Sequence, residues 1–374
     1  QERENNDGGS TMKRRFFKVI ALVIFFILGL PVLCQAEVGL TLNGNFEYDL
    51  YGQSLKYLAP PTLDPLGSQY QLQLKMELDS GEKQSGLVLL QYQAAASGAG
   101  EPQDYGSLVI NQAYVDFLLG SNVLLRAGRQ KISWGSGFAW NPTNYIGADK
   151  NRADLTITCP GVDVIDFEII GGNSSFILDI KPQANWYDSG QAYKLAWQML
   201  NSDFSVSAFQ QGSVRAYGGD FATSLGNSVI YSEVAWKAGE SRFFIDNSLT
   251  LQERPSEQYY LHGVLGLNQN FSSGSMLIME YYYNQAGWNR NEADNFNHYL
   301  GADLPDLLQK KMNLFGDLCQ NYLLVMFRKT MFLIADLSLT VNVLYNMDDQ
   351  SYLVTPQFQY DLSQNAHIIL SGNI

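Results

Sequence analysis

Over GLTLNGNFEYDLYG, Gly39 to Gly52, apolar and polar side chains alternate. Leu40, Leu42, Phe46, Tyr48 and Leu50 fall in one phase; Thr41, Asn43, Asn45, Glu47 and Asp49 fall in the other. SQYQLQLKMELDS, Ser68 to Ser80, repeats the pattern, with Tyr70, Leu72, Leu74, Met76 and Leu78 set against Gln71, Gln73, Lys75, Glu77 and Asp79. Successive side chains of a β-strand point to opposite faces, so period-two alternation specifies strands with one apolar and one polar face. Stretches of about ten residues exceed the usual globular strand of about five or six. They match a tilted crossing of a lipid bilayer.

A soluble β-sandwich shows the same alternation, and the connections separate the two readings. Long segments near 52–67, 94–106, 132–161 and 182–191 alternate with the short DSGEKQ, GSN, GGNS and NSD. Long loops on one side and tight turns on the other are the habit of transmembrane barrels, as are Tyr and Trp recurring near strand ends. The pattern predicts seventeen strands: 39–50, 69–79, 85–93, 108–118, 122–131, 162–170, 174–181, 191–199, 203–210, 214–222, 228–237, 257–269, 275–285, 321–329, 334–346, 351–362 and 365–374. SRFFIDNSLTLQERPSE could be another strand, but counting it would break the alternation of loop lengths, so it is read as part of an outside loop or an extended hairpin. LPDLLQKKMNLFGDL, inside the long segment 286–320, is read as a short helix. The expected fold class is thus all-β, a transmembrane antiparallel β-barrel of about 16–18 strands. Because such barrels close with an even number, a closing C-terminal strand is expected to be missing after AHIILSGNI.

The front end has a different character. QERENNDGGST precedes Met12, and residues 1–11 are expected to be an over-called start. MKRR, the apolar run FFKVIALVIFFILGLPVL and CQA then form a secretory signal peptide over 12–36, with cleavage after Ala36. Pro31 argues against a retained signal anchor, and Leu33 against lipidation at Cys34. Residues 37–374 are expected to be a single outer-membrane barrel domain. No apolar run of about 18 residues follows the signal. Removing residues 1–36 takes away five basic and three acidic residues, and the formal charge of -13 becomes -15. That acidic balance argues against a nucleic-acid partner.

Little in the chain serves catalysis. His262, His298 and His367 are scattered, no metal-ligand spacing or nucleophile motif occurs, and neither an enzyme nor a cofactor is expected. Cys159 and Cys319 precede two strands that descend from the outside face. A disulfide between their loops is chemically allowed, although the two strands lie far apart around the wall.

The densest feature is LLRAGRQKISWGSGFAWNP, Leu124 to Pro142. Leu124, Arg126, Gly128 and Gln130 take the lumen-facing phase, while Val123, Leu125, Ala127, Arg129 and Lys131 take the lipid-facing one. Arg129 and Lys131 are tolerable there only beyond the hydrocarbon, or if a bulge near Gly128 turns them inward. Gln112, Tyr114 and Asp116 occupy the polar phase of the preceding strand. WGSGF lacks the Lys-Ser/Thr of a phosphate loop. The segment 132–161 is expected to fold inward through Trp134, Phe138 and Trp140 and to narrow a pore. The candidate pore-lining or constriction residues are Arg126, Gln130, Asp116, Tyr114, Arg129, Lys131, Trp134 and Trp140.

RAGRQKISWGSGFAWNPTN, followed by CPGVDVIDFE, resembles a group of porin-like outer-membrane proteins. The resemblance rests on Arg126, Gly128, Arg129, Gln130, Ile132, Trp134, Gly135, Asn141, Pro142, Pro160, Gly161 and Val162. EYYYNQAGW and DDQSYLVTPQFQYDLSQN echo later hairpins of the same group. It implies a barrel, an outer membrane and a transport role, without a substrate. The expected function is a porin-like channel for passive diffusion of ions or small polar solutes in the outer membrane of a diderm bacterium. Its partners would be outer-membrane lipid and the solutes, with a homo-oligomer allowed. Two other readings stand beside it: a non-conducting barrel whose loops bind a partner or surface polysaccharide, and a secreted β-sandwich that binds carbohydrate.

Overall fold

The computed structural model describes residues 39–51, 67–79, 84–96, 107–152, 155, 159–240, 242–300, 317–363 and 366–372. The described strands fall into two compact units, divided between Leu119 and Gly120. In the first, β1 (Gly39–Tyr51), β2 (Gly67–Asp79), β3 (Gln84–Ala96) and β4 (Ser107–Leu119) form an antiparallel meander. Its register shifts once, between Leu89 and Leu90, where Asn111 bonds Gln91 across the strands.

The second unit continues with β5 (Val123–Gln130), β6 (Val162–Gly171), β7 (Ser174–Lys181), β8 (Gly190–Met199), β9 (Ser202–Gln211), β10 (Val214–Leu225) and β11 (Ser228–Ala238). The short strands β12 (Arg242–Ile245) and β13 (Leu251–Arg254) pair only with each other, as a hairpin within a long loop. The meander resumes with β14 (Tyr260–Asn270), β15 (Ser275–Asn284), β16 (Asn321–Lys329), β17 (Leu337–Asn346), β18 (Tyr352–Ser363) and β19 (Ala366–Ser371). Adjacent strands pair antiparallel from β5 to β11, β11 pairs β14, and pairing then runs on to β19. Among the described residues, four strands of the first unit and thirteen of the second occupy the predicted strand segments, and SRFFIDNSLTLQERPSE forms the hairpin, one of its two expected alternatives.

Two faces run through the second unit. In β15, Ile278, Glu280, Tyr282 and Asn284 are buried while Met279 and Tyr281 are exposed. In β11, Tyr231, Glu233 and Ala235 are buried while Ile230 and Trp236 are exposed. The exposed phase is apolar on strand after strand: Ile165 and Ile169, Tyr193 and Leu195, Val206, Leu265, Phe327, Phe358. A contiguous surface of that kind is unstable against water and suits the hydrocarbon of a bilayer.

The long connection between β15 and β16 carries a short helix, as expected. The observed α1 is Arg290–Leu300, upstream of LPDLLQKKMNLFGDL, most of which (304–316) lies outside the described residues. Its start is local: Asn289 Oδ1 accepts the Glu292 amide at 3.1 Å, and Glu292 Oε2 accepts the Asn289 amide at 2.9 Å. Such a reciprocal capping box satisfies two end donors. Ala293 and Phe296, one helical turn apart, are buried, and Phe296 packs on Trp288 at 4.6 Å. The strand expected from residue 334 begins only at Leu337. Met331 and Leu333 adopt left-handed backbone angles there, which ends the extended run despite its apolar composition.

Leu265 stands in the middle of the apolar phase of β14, 59% exposed. Leu265→Arg is expected to lower the unfolding free energy in lipid vesicles, read by urea titration, by about 2–4 kcal/mol. An unchanged midpoint would mean that this face does not meet hydrocarbon.

Candidate functional site

The segment between β5 and β6 lies on the polar face of β9–β11 and β14–β16. Two carboxylates of that face hold it. Glu280 of β15 is fully buried and accepts the backbone amides of Ala139 at 2.8 Å and Trp140 at 2.9 Å. It also accepts the amide of Phe138 and the Tyr231 hydroxyl, the latter at 2.8 Å. Glu233 of β11 accepts the amides of Ser136, Gly137 and Thr143 at 3.1, 3.2 and 2.6 Å. The Thr143 hydroxyl and Asn141 Nδ2 donate to it as well, at 2.8 and 3.3 Å.

Consecutive amides aimed at one anion form a nest, and bonds to an ionised acceptor are about twice as strong as neutral ones. Lys150 completes the lattice from the carbonyl side. Its ammonium donates to Gly137 O at 2.9 Å and Phe138 O at 2.7 Å. Burial pushes the Lys150 amine below the usual lysine range, with Glu280 and Glu233 pulling it back up.

The glycines of WGSGF follow from this packing. Gly135 has φ +90°, and a Cβ there would lie 2.2 Å from a Glu233 carboxylate oxygen. At Gly137 a Cβ would fall 1.8 Å from Trp140 O. The wall makes room in turn. A Cβ at Gly266 would fall 2.1 Å from ring atoms of Tyr231, whose ring crosses that position to reach Glu280.

The two tryptophans fix the two halves of the segment. Trp134 is buried beside Val164, Ala192, Phe209 and Ala216, with Lys194 Nζ 5.7 Å from its ring centroid. Trp140 is buried and stacked on Tyr282 at 5.2 Å, and its Nε1 donates to Asp317 at 3.0 Å. Asp317 also pairs with Arg152 at 2.9 Å. Burial raises the Asp317 carboxyl above its usual range, against the opposing pull of Arg152 and the Trp140 bond.

From this junction two further outside loops join the layer. Trp288 Nε1 donates to Phe243 O at 2.7 Å, and Arg254 bonds Ala286 O, Gly287 O and Glu292. Ile245, Trp288, Ala293 and Phe296 thereby form one buried cluster with Trp140, Tyr282 and Tyr322.

Arg126 keeps the polar phase of β5, in register with Asp166 of β6. Gln130 shares that phase but is buried, donating to Val164 O at 3.2 Å; it braces the strand pair and lines no open surface. Arg129 needs the main correction, because no bulge turns it inward. It stays on the outward face, bound to Asp163 through Nε at 2.8 Å and Nη2 at 2.7 Å. Opposite charge at hydrogen-bond distance lets it sit near the strand end, where a lone midplane arginine would cost about 2–4 kcal/mol. Lys131 is exposed at the exit of β5. Trp134 and Trp140 attach the segment to the wall and do not face solvent. Tyr114 and Asp116 belong to the first unit, where Tyr114 is in register with Leu87 and Asp116 accepts from Ser85 Oγ at 3.3 Å.

The disulfide is not formed, for both cysteines are free thiols. Cys319 is buried against Trp288, and burial pushes its thiol up to about 11. Cys159 instead approaches Asp149 O at 3.7 Å.

Glu233, Glu280, Tyr231 and Gly266 escaped the sequence reading. Their signal was a lone carboxylate in mid-strand, in YSEVAW and LIMEYYY, on the phase opposite the lipid-facing residues.

No protein-family model and no curated protein matches the sequence. The solved structures supply the likeness. OccK11 (OpdR) of Pseudomonas aeruginosa matches at a TM-score of 0.52 and 8% identity, over 90% of this chain and 89% of that one. OccAB1 of Acinetobacter baumannii matches at 0.50 and 11%, again over 90% and 89%. These likenesses establish the fold, that of a porin-type transmembrane antiparallel β-barrel.

Glu280→Gln places an amide donor against the loop amides that now bond a carboxylate. We expect the variant to lose roughly 3 kcal/mol of stability and to become sensitive to chymotrypsin after Phe138 and Trp140. Resistance equal to that of the parent protein would contradict the latch.

Proposed function

We propose that the chain forms a passive diffusion channel for ions and small polar solutes in the outer membrane of a diderm bacterium, narrowed by the segment 132–161. The observation that carries this reading is the attachment of that segment to the polar face through Glu233 and Glu280. A water-filled path through a barrel needs a polar face toward the water, and a permanently anchored loop sets its width. Arg126, Asp166 and Glu168, on the stretch of that face beyond the loop, border the path and give it a mixed-charge wall. Residues 12–36 act as the export signal.

Single-channel recording in planar bilayers tests the reading: the folded protein is expected to give discrete conductance steps, and their absence would end it. Arg126→Ala is expected to shift the anion/cation permeability ratio toward cations by about twofold. An unchanged ratio would make Arg126 a brace of the wall.

A further inference from the structure

The outward phase of the second unit is not symmetric between its two ends. At the loop end it turns polar, with the Arg129–Asp163 pair, Gln191, Gln210 and Arg215. At the short-turn end large apolar side chains reach the rim: Met199 and Leu225 end β8 and β10, Leu362 is near the end of β18, Phe271 follows β14, and all four are exposed. Such side chains continue into the turns themselves. Leu200 is 90% exposed at φ +57°, in the turn position that Gly172 and Gly226 occupy elsewhere on the same side. Between β16 and β17 the chain reads TMFLIAD, with Met331 and Leu333 70% and 83% exposed, both left-handed, and Ile334 exposed beside them.

Bulky apolar residues at backbone positions that favour glycine are disfavoured in water on both counts. An apolar medium around the rim removes one of those penalties. Phe332 connects this turn to the lipid-facing surface, because its ring packs 6.3 Å from Phe358, an outward residue of β18. Lys329, on the outward phase of β16, turns its ammonium back to Ser273 O, as a basic side chain does when its stem lies in an apolar layer.

We infer that the short-turn rim of the second unit, above all Met331–Ile334, is a lipid-docking surface seated in the interfacial layer of the leaflet it meets. The occupant is lipid because the patch is continuous with the hydrocarbon-facing phase through Phe332 and Phe358. The rim then fixes how deep the wall sits, with the charged pair at the opposite strand ends marking the other boundary.

The test uses the full chain in phosphatidylcholine vesicles, with Leu333→Trp and, independently, Ile334→Trp; the emission added over the parent is measured. Brominated acyl chains are expected to reduce that emission about twofold, with acrylamide quenching it several-fold less than the emission added by Leu249→Trp in the outer hairpin. Quenching by acrylamide as free as at Leu249, with no response to bromine, overturns the inference. Shielding from both quenchers overturns it as well, since it signals a protein cover. If the parent's own emission, which includes Trp197 and Trp236 of the outward phase, also ignores bromine, the membrane reading fails together with it.

Discussion

A backbone amide taken out of water must find an acceptor, and a glycine-rich segment laid on a wall has no strand partner to supply one. Glu233 and Glu280 meet that requirement here. Between them they accept the amides of Ser136, Gly137, Phe138, Ala139, Trp140 and Thr143. The exchange works in both directions. A buried carboxylate without a cation is costly, and the converging amide dipoles stabilise its charge. Neither the segment's course nor the burial of the two glutamates is reasonable without the other.

Much of the remaining architecture follows from that arrangement. Gly135 and Gly137 let the backbone approach the carboxylates, and Gly266 lets Tyr231 lie flat enough to reach Glu280. With its backbone pinned, the segment presents Trp140 to Tyr282 and Asp317, which brings in Arg152 and the loop before β16. That loop carries Trp288 and α1, and these close over the β12–β13 hairpin. Three connections that are distant in sequence become one packed layer. A loop held this way packs as part of the wall.

The sequence made the wall legible because alternation is a local property. Each ten-residue stretch declares its own two faces, so the strands could be read without knowing their partners, whereas SRFFIDNSLTLQERPSE stayed open between loop and hairpin. The loop's inward course was also legible in outline, since Trp134, Phe138 and Trp140 are poor residues for a solvated loop. Its acceptors were not, because the latch joins residues about ninety and one hundred and forty positions apart. Arg129 shows the same limit: the phase placed it outward correctly, but only Asp163, on the next strand, explains why it is tolerated. The helix Arg290–Leu300 was not legible from apolar spacing, because its stability comes from the Asn289–Glu292 cap and from Phe296 on Trp288.

The most direct test of the latch is hydrogen exchange at the loop amides of the folded protein in lipid. If Glu280 and Glu233 hold them, the amides of Phe138, Ala139, Trp140 and Thr143 exchange as slowly as those of β14 and β15. Exchange as fast as in the exposed 246–250 turn would show that the segment is free, and the account of a fixed constriction would fall.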